Sequence, residues 1–327
     1  MQVRPVLVIG GVVQDIRIEL PDGHADRAIC LEPDVKTLAL STTSTFGGGA
    51  INVATGLARL EDNVHMLASV GKDARSLGVR EFAKQAHIKP IFVINRKLPT
   101  GLSVVLAAKD SQSLVTHRGA NDTLSFQDVE PHLKGMDLVI THLSGKSSEM
   151  LLDVMQARDH EAHVVWSPGV TEIEKGMESF REILQTSPVV ILNRQEILSW
   201  TSLGIEYVGG VRRAARRVMN AGARAVVVTR GARGSVLYER TSAGVMAVKI
   251  PATGGPAIDR VGAGDAYTAG FAHEWRKDGD MRLAAWAGSV NAGAAITEHG
   301  AVRGSLEAKD LTQRLQRYPL ADALRET

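Results

Sequence analysis

Short runs of consecutive apolar residues recur along the chain. They alternate with longer stretches in which apolar residues return every three or four positions. Val6-Leu7-Val8-Ile9, Leu138-Val139-Ile140, His163-Val164-Val165-Trp166, Val189-Val190-Ile191-Leu192 and Ala225-Val226-Val227-Val228-Thr229 are of the first kind. Runs rich in β-branched residues and bounded by Gly, Pro or Asn suit strands buried on both faces. Helical spacing marks residues 52–60, 147–158 and 211–221. This alternation predicts a parallel sheet covered by helices, an α/β fold. Two regions differ. Residues 12–20 alternate apolar and polar toward their end, and residues 98–117 hold a strand-like pair split by Lys109-Asp110-Ser111. Alternation implies strands with one wet face, so a small exposed β-sheet is expected beside the main body. Residues 21–34, with Pro, Asp, Gly and charges, read as a surface loop, and no linker marks an independent second domain.

Composition narrows the class. The 327 residues carry 38 Lys plus Arg and 36 Asp plus Glu, a net charge of +2, with 44% hydrophobic and 23% charged residues. These values exclude disorder and collagen-like repeats, and a near-neutral surface is no nucleic-acid footprint. Cys30 is the one cysteine, so no internal disulfide forms, and no Cys/His cluster has zinc-finger spacing. The apolar runs are too short to span a bilayer, and the N-terminus lacks a signal-peptide pattern; a soluble cytoplasmic protein is expected.

The strongest local signal is Asp259-Arg260-Val261-Gly262-Ala263-Gly264-Asp265, which opens a helical stretch. Small residues let the backbone approach a ligand, and free N–H groups at a helix start attract an anion. A carboxylate there could accept a proton from a hydroxyl attacking a phosphate; a Gly-rich turn with Asp265 as its cap is the plain alternative. A second signal is Phe46-Gly47-Gly48-Gly49-Ala50-Ile51-Asn52, where Asn52 could both donate to and accept from a sugar hydroxyl.

Together these segments resemble the PfkB/ribokinase family of carbohydrate and nucleoside kinases. The likeness covers almost the whole chain in the family's order: Gly10 and Asp15, then Gly47, Gly48 and Asn52, then Gly71-Lys72-Asp73, Gly119-Ala120-Asn121, Asn193-Arg194-Gln195-Glu196, Thr229-Arg230-Gly231, and Gly262 to Asp265. The resemblance implies a three-layer ribokinase-like domain over residues 1–327, with lid strands within about 12–46 and 98–118. It implies ATP- and Mg²⁺-dependent phosphorylation of a hydroxymethyl group on a sugar or sugar-like substrate. A nucleoside kinase, or a catalytically silent sugar- or nucleotide-binding member, is the alternative. By the same resemblance Asp265 is the base, and the Gly262, Ala263 and Gly264 amides form the anion hole. Asp15, Gly48 and Asn52 contact substrate. Asn193 and Glu196 belong to the phosphate and Mg²⁺ region, with Glu196 acting through water. Thr229 and Gly231 contact nucleotide, and Asn291 lies near the adenine. The lid would exclude water and could pair with a second subunit.

The chain also departs from the family pattern. Asp259-Arg260-Val261 stands where Asp-Thr-Thr is frequent; Asp259 is kept, which leaves a K⁺ site open there. Gly49 stands where many ribokinases have Lys. Leu60-Glu61 replaces Leu-Gly, so Asn63 is expected to supply the left-handed turn. Leu143-Ser144-Gly145-Lys146-Ser147 lacks the earlier glycine of a P-loop and reads as a strand-to-helix turn. His160 and His163 read as a solvated helix end, and Arg212, Arg213, Arg216 and Arg217 as a solvated helix face. Arg118 and His117, at the end of a lid strand, read as surface charge. The four tryptophans are expected in or over the core.

Overall fold

A computed structural model of the chain describes residues 4–21, 29, 33–108, 111–203, 209–242, 244–298, 300, 303–318 and 320. Cys30, Lys109, Asp110 and most of the expected 21–34 loop lie outside the described residues. Thirteen strands are present among them: β1 (Val6–Gly10), β2 (Val13–Glu19), β3 (Ser41–Gly47), β4 (Val64–Gly71), β5 (Lys89–Asn95), β6 (Gly101–Ala108), β7 (Ser111–His117), β8 (Asp137–Thr141), β9 (Val164–Ser167), β10 (Val189–Asn193), β11 (Ala225–Thr229), β12 (Ser235–Thr241) and β13 (Gly244–Ile250). Nine form one sheet in the order β13-β12-β11-β10-β9-β8-β1-β4-β5. It is parallel except where β12 runs antiparallel to both its neighbours.

The apolar runs explain the layering. Val6 and Val8 enter one core, Leu7 and Ile9 the other, and all four are fully buried. Val189 and Ile191 against Val190 and Leu192, and Ala225 and Val227 against Val226 and Val228, divide the same way. Helices Gly49–Arg59, Ala263–Asp278 and Met281–Ala295 cover the first face, and Leu151–Ala157, Arg194–Trp200 and Gly210–Ala221 the second. Each large apolar side chain so buried contributes about 1.5–3 kcal/mol. Trp166, Trp200, Trp275 and Trp286 are all in the core.

Under the sheet, the Arg276 guanidinium donates to Asp137 (2.7 Å), Asp62 (3.1 Å) and the Arg4 carbonyl. His273 Nδ1 lies 2.9 Å from the other Asp62 oxygen. This buried cluster pins the far end of helix Ala263–Asp278 to the starts of β1 and β8.

A separate four-stranded sheet has the order β3-β2-β6-β7, with β2 and β6 parallel and the outer pairs antiparallel. Asp15, Arg17 and Glu19 share one face with Thr45, Thr43, Ser41 and Ser103. Ile16, Ile18, Val104, Leu106 and Val115 share the other. The chain leaves β1 through Val12, whose amide and carbonyl both bond the Asn121 side chain (2.9 and 2.8 Å). Asp73 caps helix Ala74–Gln85 through the Ser76 amide and also takes the Thr100 amide and hydroxyl, anchoring the approach to β6.

Several expectations change in detail. The first helix starts at Gly49 rather than near residue 52, because Gly48, at φ +94°, packs where a β-carbon would lie 2.6 Å from the Gly11 carbonyl. Glycine and alanine carry no periodic signal, so the pattern did not reach them. The stretch 147–158 is a single turn, Gly145–Ser148, followed by helix Leu151–Ala157. The Ser147 hydroxyl there holds the Asn121 carbonyl and the Leu124 amide. The left-handed turn after the first helix falls on Glu61 (φ +65°), while Asn63 accepts from Lys89 Nζ. His163 opens β9's approach and packs edge-on against Trp275 with ring centres 4.6 Å apart, so it is no solvated helix end. The arginine-bearing helix forms as Gly210–Ala221, with its four arginines on the exposed face. Among the described residues no helix is long and apolar enough to cross a membrane.

Candidate active site

The main sheet grows in opposite directions from β1, toward β4 on one side and β8 on the other. A crevice at the carboxyl ends of the strands is the usual ligand site at such a switch point. Register brings Gly10 beside Thr141, Thr141 beside Ser167, and Asn193 beside Thr229. His142, Ser167, Asn193, Glu196, Thr229, Gly264 and Thr268 line a cleft of about 70 Å³ there.

Helix Ala263–Asp278 points its start into this cleft. Gly262 is the residue before it, at φ +78°, a backbone that favours glycine. The Ala263 amide turns to the Arg260 carbonyl (3.3 Å), and the Ala266 amide closes the first helical turn on Gly262. The amides of the first turn otherwise have no acceptor within the helix, a geometry that attracts an anion. Asp265 stands in that turn with its side chain 14% exposed. Its Oδ2 accepts from Asn52 Nδ2 at 2.8 Å, and its Oδ1 lies 3.4 Å from His142 Nε2.

Asn52 joins Asp265 to the second sheet. A β-carbon on Gly47 would overlap the Asp15 carboxylate and lie 3.8 Å from Asn52 Oδ1. Asp15, Asn52 and Asp265 therefore border one space, although 250 residues separate the first from the last. Asn52 Oδ1 is buried without a hydrogen-bond partner. Burial raises the Asp15 carboxyl above its ordinary range, and the Ser103 hydroxyl partly offsets this.

Asn193 and Glu196 form a capping box. The Asn193 side chain accepts from the Gln195 and Glu196 amides, and Glu196 accepts from the Asn193 amide at 2.7 Å. The Asn-x-x-Glu spacing thus has a local structural cause as well as a place on the cleft wall. Burial raises the Glu196 carboxyl, opposed by the Asn193 amide and His142 and reinforced by Asp265. Thr229 lines the cleft, and Gly231 follows in a turn at φ +58°. Asn291 is fully buried; it donates to the Ala266 carbonyl and accepts from the Leu306 amide, bracing the helix that bears Asp265. Asp259 accepts from the Val261 and Gly300 amides, both at 3.0 Å. Arg118 donates to Thr171, on the helix that carries Glu172.

Two residues here had no motif to announce them. His142 follows β8 in a left-handed backbone at φ +49°. Glu172 is fully buried, bonds the Gly169 amide, and is pushed by burial to about 7.

Residues 6–309 match the family model described as pfkB family carbohydrate kinase. The chain is 26% identical over 261 residues to a deoxyribokinase of Salmonella typhimurium, covering 78% of this chain and 82% of that one. It is 23% identical over 290 residues to a nucleoside kinase of Methanocaldococcus jannaschii, covering 88% and 91%. The crystal structure of a ribokinase from Thermotoga maritima superposes with a TM-score of 0.80 at 20% identity, over 96% of this chain and 99% of that one. A glycine-lined helix start, the Asn52–Asp265 bond and the match along nearly the whole chain agree: the protein belongs to the pfkB family of carbohydrate kinases.

Proposed function

We propose that this kinase transfers the γ-phosphate of ATP to a hydroxymethyl group of a free sugar or a close sugar analogue. The 2.8 Å bond between Asn52 and Asp265, with Asp15 bordering the same space, carries the reading. Asp265 takes the proton of the attacking hydroxyl as its oxygen bonds to phosphorus and the bridging oxygen leaves with ADP. Asn52 keeps one Asp265 oxygen occupied and so directs the other toward the acceptor. Asp15 and the free Asn52 Oδ1 accept hydrogen bonds from the sugar's other hydroxyls, beside the Gly48 backbone. The amides at Gly262 and Gly264 serve the transferring phosphoryl group, and the Ala263 amide joins them on leaving its 3.3 Å bond to the Arg260 carbonyl; positioning and charge neutralisation are what this chemistry needs. Thr229 and Gly231 border the nucleotide, and Asn291 supports that wall.

Among the described residues no three His, Cys, Asp or Glu side chains gather to hold a metal. A lone carboxylate beside a phosphate site suits Mg²⁺, which keeps most of its waters and binds through phosphates. Glu196, through water and beside Asn193, would hold it, and the ion neutralises phosphate charge when bound. Asp259 remains the candidate K⁺ ligand through the lone pairs left after its two amide bonds; equal turnover in potassium and sodium buffers would remove that role. The apolar lid face bearing Ile16, Val104 and Val115 suits a second copy of the chain, and a monomeric mass in solution would count against it. ATP as co-substrate agrees with a cytoplasmic setting.

The test is a screen of pentoses, hexoses, their deoxy forms and nucleosides for ADP release. We expect turnover on a sugar carrying a free hydroxymethyl group. A preference for nucleosides would shift the reading toward the archaeal relative. ATP-dependent thermal stabilisation without turnover on any acceptor would identify a silent binding protein instead.

A further inference from the structure

We propose that His142 is a further catalytic residue of the transfer site, its Nε2–H held beside Asp265 and serving the transferring phosphoryl group. The inference rests on the kinase reading above and adds a residue specific to this chain. Four observations on different elements carry it.

The first is space. A β-carbon on Gly49 would lie 2.6 Å from His142 Cδ2 and 2.7 Å from Thr141 Oγ1. No side chain fits at position 49 while the imidazole stands there, so the bare glycine and the histidine are one arrangement. The second is direction. His142 Nε2 lies 3.4 Å from Asp265 Oδ1, on the side of the carboxylate opposite the Asn52 bond. That separation exceeds a direct hydrogen bond, and contacts of this kind tighten when substrates enter. The third is the backbone. A non-glycine residue at φ +49° is uncommon and strained, and such residues gather at functional sites. The His142 amide is held there by the Ser167 carbonyl at 3.0 Å. The fourth is position. The ring is 45% exposed, on the cleft wall that also holds Gly264, Asn193 and Glu196.

Charge supports the assignment. Three acids face the ring: Asp265 from helix Ala263–Asp278, Glu196 from helix Arg194–Trp200 and Glu172 from helix Val170–Lys175. The surrounding cleft wall partly desolvates the half-exposed ring and opposes the imidazolium, but Asp265, then Glu196 and Glu172, hold its pKa above the ordinary histidine value. A donor so placed can orient Asp265 in the empty site and meet the phosphoryl oxygens in the loaded one, where an added donor lowers the barrier.

The test uses His142→Gly in the full-length chain. Glycine accepts φ +49° without strain, so the fold is kept, and the substitution leaves a ring-sized opening toward solvent. We expect kcat to fall about 10²-fold. The KM for ATP should stay within about threefold of native. Millimolar imidazole should restore part of the lost kcat, and thiophene, a ring of similar size without an N–H, should restore none. A kcat within about threefold of native, a loss carried by KM instead, or equal behaviour of the two rings each overturns the proposal. A native chain inactive on every acceptor sinks the kinase reading along with it; equal turnover by native and variant sinks this inference alone.

Discussion

In β1 four consecutive side chains are fully buried, whereas in β2 every residue is only half-buried. The first strand lies between two layers of helices, and the second belongs to a four-stranded sheet with one polar face, which bears Asp15, and one apolar face, which bears Ile16, Val104 and Val115. The candidate site draws on both. Asp265, Asn52 and His142 stand on elements fixed by the core, and Asp15 reaches in from the lid. On the proposed function the contrast is a division of labour: the groups assigned to phosphoryl transfer sit on the core-fixed wall, and the group assigned to acceptor recognition sits on the lighter sheet.

That division can be broken by experiment. Asp265→Asn keeps the shape of the wall and its place beside Asn52 but removes the base. We expect kcat to fall by about 10²–10⁴-fold with ATP affinity nearly unchanged, read from ADP release and ATP titration. Turnover equal to native would take the base role away from Asp265. Arg276→Met strikes the same helix at its other end. It leaves the buried carboxylates of Asp62 and Asp137 without their shared cation, a loss of about 3–5 kcal/mol of stability. Denaturant unfolding should show it, and an unchanged midpoint would mean the cluster adds nothing.

Asp15 on the lid should behave differently. Asp15→Asn should raise the KM for the acceptor about 10- to 100-fold, as expected for losing a charged hydrogen-bond acceptor, and leave kcat and the KM for ATP close to native. The native enzyme sharpens this through pH. Burial raises the Asp15 carboxyl, so its charged form is lost as pH falls through a value above the ordinary aspartate range. Acceptor KM should therefore rise at mildly acidic pH in the native chain and stay flatter in Asp15→Asn. Matching pH curves would place acceptor recognition elsewhere.

Much of this was legible in the sequence. The strand runs, the alternating lid segments and the glycine-lined motifs are local patterns with local causes. Asn52 and Asp265 stood out through their local glycine-lined motifs, but that they meet Asp15 was readable only through the ordered resemblance to a family, since nothing in the spacing of residues 15, 52 and 265 says so. His142 escaped because it sits just beyond the end of β8, and Glu172 because it sits in a six-residue helix too short to show periodicity, and no motif marks either. Asn193 and Glu196 show the reverse problem: one spacing serves a helix cap and a cleft wall, and the letters alone do not separate the two. Glu61 took the left-handed turn because the helix needed that backbone at one fixed residue, and a favourable Asn63 two positions later was out of reach.

The Asn121 clip on Val12 carries a consequence for how this chain can change. With both main-chain groups of Val12 held by one side chain, the count of residues from there to Asp15 fixes which way Asp15 points. Successive side chains in a strand face opposite ways. Inserting or deleting one residue in that interval would present Gln14 or Ile16 to the acceptor and turn the carboxylate outward, with every side chain still intact. Parity at this junction is therefore a constraint separate from amino-acid identity, and single-residue length changes there should be tolerated less well than most substitutions.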